Sequence, residues 1–120
     1  MKGIELLKEH PKAAIVIKQW FLEKMLEGLN DESLPDDFKV YVREQGIDDD
    51  KVGVFIDASP RGLFDIFDEH KILISIIAHQ NDSFSVKING VEDLYEKFST
   101  RKLADHFAIE HAFKMLNEKL

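Results

Sequence analysis

This chain has no cysteine, only three prolines and six glycines, and fewer bases than acids, 16 against 23. Without cysteine there is no disulfide framework, no thiolate nucleophile and no cysteine-held zinc or iron–sulfur centre, which fits a reducing compartment. The few glycines form neither a phosphate-cradling loop nor a nucleophile elbow. No apolar run approaches the roughly 18 residues of a membrane span. The opening MKGIELLKEHPK has neither the apolar core nor the small-residue cleavage pattern of a signal peptide. The expectation is a cytoplasmic, soluble chain of one domain over residues 1–120, long enough to bury a core unaided.

The net charge of −7 is unevenly spread. Residues 30–70 hold twelve acids against Lys39, Arg43, Lys51 and Arg61, while the remainder is close to neutral. Such an acidic zone disfavours phosphate contacts and attracts a basic partner.

Residues 72–78, ILISIIA, are apolar on both faces of a strand: Ile72, Ile74, Ile76 and Ala78 on one, Leu73 and Ile77 with Ser75 on the other. Something must cover the second face, either helices of this chain or a partner. Alternation also predicts strands at 38–44 (FKVYVRE), 52–57 (VGVFID) and 84–89 (FSVKIN), with Asn89 and Gly90 closing the sheet. Residues 58–70 should form a turn and a short helix burying Leu63, Phe64 and Phe67.

A first helix is expected over 11–29, with proline in its first turn. Its apolar arc would hold Ala14, Ile15, Ile17, Phe21, Leu22, Met25, Leu26 and Leu29. Residues 91–120 read as helical, but the hydrophobic phase changes near Ala108. That predicts two segments, or one helix buried on two sides. The fold expected is α+β: a four-stranded antiparallel sheet with an N-terminal helix and two C-terminal helical segments packed on it.

Motifs of catalysis or metal binding are weak. His106 and His111 stand five apart, so on a helix their rings diverge by about 140°; only His106 and Glu110 share a face. Asp48, Asp49, Asp50 and Gly53 imitate the start of a calcium loop, but Val52 occupies a ligand position and Ser59 stands where a bidentate glutamate is needed. No cofactor and no metal are expected. Asp57, Asp65, Asp68, Glu69, His70 and His79 lie near predicted element ends, where an acid–base site could assemble.

Residues 99–110, STRKLADHFAIE, are similar to the first half of a DNA-binding helix-turn-helix: Thr100, Leu103, Ala104, Phe107 and Ile109 match its cap, core and small-residue positions. Ala108 replaces the family's turn glycine, and Lys114 and Asn117 replace apolar residues. The resemblance implies a nucleic-acid regulator contacting phosphates through Arg101, Lys102 and Lys114.

The leading expectation is instead a non-enzymatic module that occludes a protein partner, as an inhibitor, immunity-type protein, chaperone or phage-encoded host modulator would. Its contact residues are read as Val16 and Trp20, one turn apart among charges, and Tyr41, Phe55, Leu73 and Ile77 on the second sheet face. Arg61 is added as an anchor, with Asp48, Asp49 and Asp50 steering a basic partner. A second copy of the chain is a further candidate partner.

Overall fold

The computed structural model describes residues 2–28, 35–37, 40, 44, 48–92 and 97–120. Helix α1 (Gly3–Glu9) runs almost directly into α2 (Pro11–Gly28). Helix α3 (Asp49–Ala58) follows, then a 3₁₀ turn (Pro60–Leu63) and the short α4 (Phe64–Glu69). Strands β1 (Ile74–Ala78), β2 (Phe84–Ile88) and β3 (Val91–Glu92) precede the long α5 (Arg101–Lys119).

The α+β class holds, but the four-stranded sheet does not. Residues 52–57 are helical because Asp48 caps a helix: its Oδ1 accepts the Lys51 N–H at 2.8 Å, and Asp49 and Asp50 occupy the first turn, where the helix dipole favours acids. Val52 and Ile56, one turn apart, are buried, whereas Val54, an inward position in the strand reading, is 68% exposed. In the expected strand 38–44, Val40 and Glu44 have helical backbone; Tyr41 lies outside the described residues.

The sheet is an antiparallel hairpin extended by a two-residue strand, in the order β1-β2-β3. Ile76 pairs with Val86 at its centre. The β1–β2 turn spans residues 80–82, with Asp82 left-handed (φ 56°) and the His79 N–H reaching the Ser83 carbonyl at 2.9 Å. Asn89 (φ 52°) and Gly90 (φ 85°) form a two-residue turn of the type that matches strand twist. That turn leads into β3 rather than ending the sheet, and Val91 pairs with Ile88.

Residues 101–119 form one helix, not two. The phase change near Ala108 reflects burial on two sides. Ala104 and Ala108 pack beneath Val86 of the hairpin. Ile109, Ala112, Phe113 and Leu116 enter the helical core with Leu6, Leu7, Ile17, Val52, Ile56, Leu63 and Phe67. Phe67 and Phe113 meet edge to face at 5.7 Å.

Helix α2 is rotated from its expected arc. Ala13, Ala14, Ile17 and Phe21 are buried, while Ile15 and Met25 are 68% and 42% exposed. Its start is capped from the far end of the chain, because Asn117 Oδ1 accepts the N–H groups of Lys12 at 2.9 Å and Ala13 at 3.2 Å. A polar Asn117 on an otherwise buried stripe is thereby explained. Among the described residues, no helix is long and apolar enough to cross a membrane.

Candidate partner-binding surface

Where the inner face of β2 and β3 meets α5, the two elements diverge and leave an open hollow of about 420 Å³. Val86, Ile88, Val91, Phe107 and Met115 line it, with Asn89 and His111 at its polar margin. Its geometry follows from the strand pattern: Val86 and Ile88 alternate inward on β2, and the tight Asn89 and Gly90 turn brings Val91 back beside Ile88. Val91 is 73% exposed, the most of any large apolar residue described. From the helix side, Phe107 and His111 stand one turn apart with ring centroids 4.4 Å from each other. The hollow offers apolar contact with a polar rim, an arrangement suited to a side-chain anchor. Sequence reasoning missed this site because its residues come from two strands and a helix; Val91 following a predicted turn was the available signal.

The expected contact residues are scattered. Val16 and Trp20 are half-buried and pack against the core, and the Trp20 ring meets Phe21 edge to face at 5.4 Å. The Trp20 Nε1 is buried without a hydrogen-bond partner among the described residues. Phe55 lies on a helix, 4.5 Å from Phe21, so it shares no sheet face with Leu73 and Ile77. Those two do lie on the outer side of β1, Leu73 54% exposed and Ile77 half-buried. On the same side Ser85 is fully buried, so the outer face is covered there and open at Leu73. Asp48 caps α3 and Asp49 pairs with Lys18 at 2.9 Å; Asp50 is exposed.

Arg61 grips Asp105 of α5 with two nitrogens, Nη2 to Oδ1 at 3.0 Å and Nε to Oδ2 at 3.2 Å. The hydrogen bond to Asp105 holds the guanidinium above its ordinary pKa, against a smaller effect of burial. The pair pins the 3₁₀ turn to α5, and Arg61 also lies over the Phe64 ring. Arg101 and Lys102 border the hollow that contains this pair. Lys114 instead borders a different one with His10 and Glu9. The three bases expected to contact phosphates are therefore divided, and the single helix forms no turn at Ala108.

The acid and histidine candidates divide between α3 (Asp57), α4 and its C-terminal end (Asp65, Asp68, Glu69 and His70) and the position after β1 (His79). Asp57 accepts the Gly3 N–H at 2.8 Å, and the His70 carbonyl accepts from Lys119 Nζ. His79 Nε2 lies 2.9 Å from Ser85 Oγ and 3.2 Å from Lys97 Nζ. This serine–histidine contact was not foreseen, and full burial keeps Ser85 from any substrate. His106 and Glu110 share a hollow with Asp57, yet among the described residues no group of three histidines or carboxylates could hold a metal ion. Comparison with protein-family models, curated proteins and solved structures finds no match to this chain.

Proposed function

We propose that the chain is a non-enzymatic, cytoplasmic module that binds a partner protein and occludes the surface it occupies. The apolar hollow between β2, β3 and α5 carries this reading, with the exposed Val91 at its edge. The occupant is an apolar side chain of the partner, flanked by basic residues. The acidic stretch of sequence over residues 30–70 draws such a partner in, and burial of the anchor against Phe107 and Met115 holds it. Asp50, exposed at the start of α3, belongs to that steering stretch.

The test is capture from nuclease-treated lysate of the native host by the tagged chain and by its Val91→Glu variant. Val91 is on the surface, so the charge should leave the fold intact. The expected outcome is one protein retained in stoichiometric amount by the natural chain and lost by the variant. Equal retention by both would move the contact away from the hollow. Retention of nucleic acid alone when nuclease is omitted, falling steeply with salt, would transfer the function to the surface around Arg101 and Lys102.

A further inference from the structure

Strand β1 is an edge strand, and its outer side is paired with nothing among the described residues. The ladder to β2 fixes which of its backbone groups face outward. His79 bonds Ser83, and Leu73 accepts from Asn89, so the bonded pairs fall on odd-numbered residues of β1. In an antiparallel ladder these alternate with unbonded pairs. The N–H and C=O groups of Ile74, Ile76 and Ala78 therefore point away from the sheet.

Edge strands in soluble proteins are ordinarily blunted by charge, proline or a bulge. The sequence of β1, ISIIA, has no charge and no proline, and its register with β2 runs without a bulge. This stands out in a chain in which 32% of residues are charged. Ala78 is exposed despite pointing to the helix side, so the edge is open at that end.

We infer that β1 pairs antiparallel with β1 of a second copy about a two-fold axis at Ile76, joining the two hairpins into one continuous sheet. Two observations favour a second copy. First, centring on Ile76 aligns the whole strand with itself. Ile74 then faces Ala78 of the other copy and Ile76 faces Ile76, and all of these residues carry outward backbone groups. Each such pair can exchange two backbone hydrogen bonds.

Second, the join itself carries no charge: Ile74 faces Ala78 of the other copy and Ser75 faces Ile77. For two chains each carrying −7, an uncharged edge is where approach meets least repulsion.

The test uses the intact chain and two variants, with mass measured by light scattering and sedimentation over the widest concentration range the protein tolerates. Ala78→Pro removes an N–H that points outward, so the ladder to β2 keeps its bonds. Ile76→Cys places a lone thiol beside its own copy on the axis. The Cα separation of a hydrogen-bonded pair, about 5.5 Å, lies within disulfide reach. The natural chain should reach the mass of two copies as concentration rises. Ala78→Pro should weaken that association about tenfold or more while melting as the natural chain does, and Ile76→Cys should cross-link to itself on mild oxidation.

A natural chain that stays single throughout overturns the inference. So does a folded Ala78→Pro variant that associates unchanged. If the proline variant does not fold, Ile76→Cys decides: ready cross-linking supports the pairing, and its absence overturns it.

Discussion

Among the described residues Arg61 makes a well-defined long-range ion pair, and its partner Asp105 is only 9% exposed. Removing the guanidinium would leave a carboxylate with little access to water. Arg61→Ala should therefore lower stability by about 1–3 kcal/mol, read as a fall in the urea midpoint; an unchanged midpoint would mean that water replaces the arginine at no cost. The raised arginine pKa sets the sign of its pH dependence. Its contribution is fully present below the ordinary arginine range and is lost only as pH rises through the still higher folded value, so titration of Arg61 itself should not weaken the fold at ordinary pH. The sequence shows Arg61 in a tight turn among acids, but its partner lies 44 residues away and local spacing could not identify it. Thr100 is the opposite case. Its side chain accepts the Leu103 N–H at 3.1 Å, and this cap was legible because it is made within three residues.

Helices α1 and α3 show what local pattern conceals at the level of elements. They cross where Gly3 lies against Gly53, so closely that a Cβ on Gly3 would come 2.5 Å from the Gly53 carbonyl oxygen and 2.8 Å from Ile56 Cβ. Alanine is the better helix former by about 1 kcal/mol, yet here it must push two helices apart. Gly3→Ala is expected to destabilise by about 1–3 kcal/mol net, measured by denaturant unfolding; a gain in stability would show that the crossing relaxes freely. The same packing explains why VGVFID is not a strand. Its alternation is compatible with a strand, but Gly53 offers no side chain to a sheet, and the crossing of α1 uses that gap. Strands β1 and β2 were legible because β1 is a short run rich in branched residues, β2 alternates apolar with polar residues, and a polar turn separates them. Helix α1 was missed, since seven residues carry too little periodicity to stand out.

For the whole molecule, α5 is the shared element. One side closes the helical core through Ile109, Phe113 and Leu116, and another supports the hairpin through Ala104 and Ala108. Ile74 and Ile88 of the hairpin also pack against the helical core, so neither part should unfold alone. Fluorescence of Trp20, which reports on the helical core, and far-ultraviolet circular dichroism should show one coincident transition. Separate midpoints would mean that the clusters are independent folding units. This sharing also accounts for the mixed hydrophobic phase of residues 101–119: a helix enclosed on two sides shows no single stripe.

Composition and order of residues by themselves determined the mixed α+β class, the hairpin with its turns, and the helical character of residues 11–28 and 101–119. Each depends on periodicity or capping within a few residues. Tertiary structure decided which face of α2 is buried, that residues 52–57 coil rather than extend, that Arg61 meets Asp105, and that Val91 borders an apolar hollow. In each case the deciding partner comes from a distant segment. Burial rewards whichever face meets that partner, and a local pattern compatible with two elements is settled by the packing available to it.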